Sequence, residues 1–260
     1  MTTSQSPSIL RQPAREWTVD NLNFLQVNDP QPFTLLSNIA AGTVEDIAKL
    51  EYLSIPTEHM LDFYSYISQY FNHPFRQFFT YLEHVLEIPD DPRIQIRLLR
   101  SLVDTLWCLK NRRFLLFPQI FERLKIGCQR IKCDGLFEPR EPYASRLIPV
   151  VAFLALEGSE DDRIHEIQQL LAQAVLAFKY RPKMDEFTSF VMCSIGAAVY
   201  LAGACVTRAY FECLRDDQQP RQRLHVHHSP IYDLTTLDGR KDISLLLLKM
   251  LNYVHDRDHP

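Results

Sequence analysis

The chain is short of glycine, with seven in 260 residues, and clear apolar/polar alternation is hard to find in it. Both shortages argue against half-exposed strands joined by tight turns, and for helices. There is no Gly-rich phosphate loop, no nucleophile elbow and no HExxH pair. The short motifs that carry phosphoryl transfer, acyl transfer or zinc-peptidase chemistry are therefore missing. No repeat of fixed period occurs, which weighs against a solenoid. A net charge of −4 gives no global pull toward nucleic acid or anionic membrane, so any such contact has to come from a local patch. Residues 1–15 (MTTSQSPSILRQPAR) lack the apolar core of a signal peptide, and the cysteines at 108, 128, 133, 193, 205 and 213 lack framework spacing. Together these lead to the expectation of a reduced, intracellular protein with buried thiols.

What the chain does have is one long uncharged run. Between Glu186 and Arg208 no charged side chain occurs, a length of about 20 residues that would span a bilayer as a helix. Thr188, Ser189, Ser194 and Tyr200 interrupt it, and no second run of comparable length exists to pack against it. The small residues Gly196, Ala197, Ala198, Ala202, Gly203 and Ala204 cover most of its surface, so neighbours can approach closely on several sides. The reading is a central helix over Phe187 to Leu214, buried all round within a soluble bundle.

Punctuation divides the remainder. Residues 1–15 read as a mobile polar arm. Thr43 with Asp46 marks a helix start, and apolar and aromatic residues from Met60 to Leu86 at helical spacing suggest an aromatic-rich helix pair over 57–88, broken at His73-Pro74. Pro89-Asp90-Asp91-Pro92 is the candidate boundary between two subdomains. A long helix follows from Arg93, another is expected after Pro118, and an apolar helix over Tyr143 to Leu156. Ser159 to Asp162 cap a helix that runs to about Tyr180. A polar linker after Leu214 leads to a last amphipathic helix near Asp242 to His255. The expected fold is all-α, two packed helical-bundle subdomains (16–89 and 90–215) with a linker and short C-terminal helical segment (216–260).

Three groups of residues invite a chemical reading. Between positions 93 and 132 ten basic residues face only Asp104 and Glu122; Arg97, Arg100, Lys110, Arg112, Arg113, Arg123 and Lys125 are the best candidates to meet phosphate or anionic lipid. Asp161, Asp162 and Glu166 resemble a magnesium-binding acid cluster, but no second acidic motif accompanies them and helix capping explains them better. Cys205 and Cys213 with His225, His227 and His228 supply zinc-type ligands, of which Cys213, His225, His227 and His228 are the nearest to a set. Their spacing is poor, so core thiols and a solvated histidine linker account for them more simply, and no cofactor is expected. Three histidines within four positions also suggest an interface loosened on acidification.

The segment Ser194 to Arg208, with its order Ser, Gly, Ala, Gly, Arg, resembles the long small-residue helix of influenza matrix proteins. The acid-capped helix before it, the Gln, Arg and His linker after it, and KNRRFLLFPQIF (Lys110 to Phe121) are similar to that family's surroundings. The acidic net charge, and a Gln168 to Lys183 stretch keeping only Lys179, Arg181 and Lys183 as basic residues, depart from influenza and fit a divergent thogotovirus-type orthomyxovirus better. The resemblance implies a helical matrix protein of the virion. It would polymerise with itself beneath the envelope, touch an anionic membrane surface and viral ribonucleoprotein through the basic residues named above, and act on no small-molecule substrate. It would reside in the host cytoplasm and nucleus before assembly, with no transmembrane helix. The rival readings are a helical adaptor that binds a protein partner, and an all-α enzyme built on the Asp161 cluster.

Overall fold

The computed structural model describes residues 9–10, 12–42, 74–108, 114–118, 125–126, 129–131, 133–139, 148–149, 151–159 and 161–258. Its centre is a mixed sheet rather than a helix. Strand β7 (Glu186–Ile195) pairs antiparallel with β8 (Ala198–Thr207), in register from Glu186 opposite Thr207 to Ile195 opposite Ala198. On one side β7 lies parallel to β6 (Val151–Ala155), which continues antiparallel through β5 (Gly135–Pro139) to β2 (Phe114–Pro118). On the other side β8 pairs antiparallel with β9 (Val226–His228), whose far neighbour is the parallel two-residue β1 (Gln31–Pro32). A short β10 (Tyr232–Asp233) extends the same flank of β8, and β3 (Lys125–Ile126) with β4 (Gln129–Arg130) forms a separate small hairpin.

Helices cover both faces. One layer holds α4 (Asp161–Tyr180), which crosses over between the parallel strands β6 and β7, with α5 (Arg208–Arg215), α1 (Val19–Phe24) and the N-terminal segment. The other layer holds α2 (Pro74–Glu87), α3 (Pro92–Cys108) and α6 (Leu237–Asp258). Strand geometry sends alternate side chains to the two layers. On β6, Ala152 and Leu154 meet the α4 layer, while Val151, Phe153 and Ala155 meet the other. On β7, Phe187, Val191 and Cys193 face α4, and Phe190 and Met192 face α6 and its neighbours. Each fully buried Leu, Ile or Phe on these faces stabilises the fold by roughly 1.5–3 kcal/mol.

The all-α expectation, with its helical-bundle subdomains, is thereby corrected. The expected central helix is the β7–β8 hairpin followed by the eight-residue α5, and Val151 to Ala155, expected within a helix, is strand β6. The reason is physical: a strand covered on both faces carries apolar or small residues at every position, so its pattern has no period of two. Gly196 turns the hairpin with φ 57°, while Ala197 keeps an ordinary negative φ. That is the glycine-first form of a two-residue loop, and it matches strand twist. Gly203 is small for a different reason. A Cβ there would stand 2.8 Å from Leu35 Cδ1 and 3.2 Å from Phe190 Cδ1.

Several other expectations hold, but the helix expected after Pro118 does not: Lys125–Ile126 and Gln129–Arg130 are the paired strands β3 and β4. The helix after Pro92, the Asp161–Tyr180 helix, the second half of the aromatic pair (α2) and the C-terminal helix are all present, the last starting at Leu237 rather than Asp242. The Pro89-to-Pro92 punctuation is the turn between α2 and α3, which share one apolar cluster. The helix expected over 43–53 and the first half of the aromatic pair lie outside the described residues. Among the described residues no helix is long and apolar enough to cross a membrane.

Candidate functional site

One polar cluster draws on four elements, and the sheet register builds it. Cys193 on β7 stands opposite Tyr200 on β8, and His228 on β9 pairs with Ala202, two positions along from Tyr200 on the same face. Helix α4 passes over these strands and lowers Glu166 onto them. Glu166 is 1% exposed. Its Oε1 lies 2.7 Å from His228 Nε2, and its Oε2 accepts from the Tyr200 hydroxyl at 2.9 Å and from the Cys193 thiol at 3.8 Å. The rings of Tyr200 and His228 lie 5.1 Å apart. The phenol and the thiol donate, and His228 Nε2 does so in the tautomer that carries its proton there, which suits an acceptor-only carboxylate. Burial first, then the charge of Glu166, push the Cys193 thiol well above its usual range; burial, reinforced by Cys193 and Glu166, does the same to the Tyr200 phenol. Both groups are thereby held in their protonated forms at neutral pH.

The cluster sits at the carboxyl ends of the parallel strands β6 and β7, where open α/β sheets commonly place ligands. Here the polar groups at that end hold the protein itself. Asp134, at the start of β5, accepts the amide of Ala155 at 3.0 Å. Asp162 Oδ2 accepts the amides of Gly158 and Ser159 at 2.8 and 3.0 Å, closing the turn in which Gly158 has φ 75°. The Ser194 hydroxyl donates to Gln95 Oε1 at 3.0 Å, and Gln95 Nε2 donates to the carbonyl of Pro89 at 2.6 Å. The end of β6 itself presents Leu154, Ala155 and Leu156, all buried and apolar. Helix α4 carries further buried amides in the same manner, with Gln168 Nε2 donating to the Ala14 carbonyl at 2.7 Å and Gln173 Nε2 to that of Phe190 at 3.0 Å.

The residues singled out in the sequence are not gathered in one place. Arg97 is exposed on α3, and Arg100 on the same helix is half-buried, with its Nε 3.5 Å from Asp104. Lys125 is exposed on β3, whose hairpin packs in the α4 layer, so the sheet lies between it and α3. Lys110, Arg112, Arg113 and Arg123 lie outside the described residues. The histidines divide as β9 dictates. The His225 ring meets Asn28 Nδ2 at 2.9 Å, His227 Nδ1 meets the Pro32 carbonyl at 3.0 Å, and His228 turns to the opposite face and Glu166. Cys213 is on α5, and among the described residues no group of three or more His, Cys, Asp or Glu is placed to hold a metal ion. Of the acids, Asp162 shapes the turn before α4, Asp161 is exposed and Glu166 enters the buried cluster. Sequence reasoning had marked Glu166 and His228 for different chemistries and missed Tyr200 and Cys193 as their partners. No local signal joins residues 34 and 62 positions apart.

Comparison with models of known protein families finds no match. A search of curated proteins likewise finds no match.

Proposed function

We propose that the protein is a non-catalytic α/β binding or scaffold module that engages a protein partner. The observation that carries this reading is that three carboxyl groups at the sheet's carboxyl end are engaged by the protein itself. Glu166 accepts from three side chains, and Asp134 and Asp162 are spent on backbone amides. An imidazole oriented by a buried carboxylate is also how general bases are held. In this chain, however, the same carboxylate is shared with a phenol and a thiol, both kept protonated by burial. Such a network rigidifies a core and specifies one packing.

The matrix-protein reading, with its virion location and its membrane and ribonucleoprotein partners, drew on a helical order of small residues. That order belongs to β7 and β8, where smallness serves the hairpin turn and close layer packing, so the hairpin does not favour it over a binding module.

Thermal unfolding of the full chain with millimolar magnesium, manganese or zinc tests the proposal. A ligand that binds the native state raises Tm by mass action. A binding module shows no cation-dependent rise. A rise of several degrees that disappears in Asp162→Asn or Glu166→Gln would establish an acid-centred ion site and overturn the reading.

A further inference from the structure

Beyond the sheet's carboxyl end, loop 229–236 and the first four turns of α6 line an open groove of about 680 Å³. Its lining is mainly apolar, including Ala41, Pro230, Ile231, Leu245 and Leu246. Ile231 is 68% exposed, the most exposed large apolar side chain among the described residues. Exposed apolar surface in a concavity commonly marks an interaction site. Charge gives the groove a sign. Asp233 and Asp242 stand on it against one cation, Lys249. Asp233 Oδ1 is already engaged by the amide and hydroxyl of Thr235, at 2.8 and 2.7 Å. The Asp242 side chain forms no hydrogen bond or ion pair among the described residues, yet its charge reaches the groove wall, where burial first and then this charge raise the Tyr232 phenol.

Resting on the reading of the protein as a binding module, we infer that this groove takes a short peptide segment of a partner protein. The segment carries one large apolar side chain beside a lysine or arginine. The apolar side chain lies against Ile231, Leu245 and Leu246, and the basic one reaches Asp242. An apolar anchor supplies most of the affinity in such contacts, and the charge pair supplies register and selectivity.

The test is selection of phage-displayed random peptides on the full chain, followed by fluorescence polarisation with the selected peptides in synthetic form. The expected result is enrichment of a large apolar residue within a few positions of Lys or Arg. Ile231→Ser and Asp242→Lys, both at exposed positions, should each weaken binding about tenfold without lowering Tm. A peptide with its basic residue changed to Glu should recover affinity for Asp242→Lys, an outcome that general damage does not produce. Absence of enrichment, enriched peptides lacking the pattern, or affinities unmoved by both substitutions would overturn the inference. Concentration-dependent self-association in sedimentation, abolished by Ile231→Ser, would overturn it in favour of a second copy of the chain. These results leave the non-catalytic reading standing, since that reading fails on cation-dependent stability instead.

Discussion

Replacing His228 by alanine strands one oxygen of a buried carboxylate. Glu166 is 1% exposed, and its Oε1 has His228 Nε2 as its hydrogen-bond partner at 2.7 Å. A hydrogen bond to a charged group contributes about 1.5–3 kcal/mol, and breaking a buried pair from one side costs about 3–5. The His228 side chain is 26% exposed, so water entering the vacated space relieves part of the loss. The expected destabilisation is therefore about 2–3 kcal/mol. Tyr200→Phe removes the second donor and should cost about 1–2 kcal/mol. A double-mutant cycle sharpens the test. With Glu166→Ala in place the carboxylate is gone, so His228→Ala should add little, giving a coupling of about 1.5–2.5 kcal/mol. Urea unfolding followed by far-ultraviolet circular dichroism provides the midpoints, with an unchanged m-value required for the comparison. A loss below about 0.5 kcal/mol for His228→Ala, or no coupling, would refute the claim that this pair is a buried structural unit.

Four further outcomes follow from other parts of the molecule. Cys193, fully buried with its thiol pushed up in pKa, should resist iodoacetamide at mildly alkaline pH in the native protein and react fully in denaturant, as mass spectrometry of its peptide will show. Gly196→Val forces a β-branched residue to φ 57° and should cost about 1–3 kcal/mol by chemical denaturation, with Gly196→Asn costing less. Arg240 is fully buried, donates to the carbonyls of Leu234 and Thr235 at 2.9 and 3.0 Å and lies over the Phe79 ring at 5.7 Å from its centroid. Arg240→Ala should lower stability by about 3 kcal/mol and loosen the start of α6, read as faster amide exchange there. Burial raises the Asp104 carboxyl despite the opposing pull of Arg100, so the native state holds this proton to higher pH than the unfolded chain. The stability it supports is complete below the ordinary carboxyl range and is lost as pH rises through the raised value. Asp104→Asn should flatten that part of the stability–pH profile.

Helices with one wet face were legible from residue order. The α4 helix begins where Asp162 gathers the amides of Gly158 and Ser159 and stops before Pro182, and α3 begins at Pro92 after the Asp91 turn. The β7–β8 hairpin was not legible, because Phe190 and Met192 are buried under one layer while Val191 and Cys193 are buried under the other. With water on neither side, residue order carries no period to reveal a strand. The candidate site was half visible. Glu166 looked like part of an acid cluster because its neighbours in sequence, Asp161 and Asp162, are acidic, yet one helical turn carries it away from them and into the core.

Residue order by itself determined where the chain stops and starts: the prolines at 89, 92 and 182, the polar stretch after Leu214, and the absence of the short catalytic motifs. Those are local properties, set by backbone chemistry within a few residues. Only the tertiary structure decided that an uncharged run is a hairpin, that three neighbouring histidines point to different faces, and that Glu166 meets His228. Each of these depends on strand register and on which layer covers which face, and contacts between residues tens of positions apart set both.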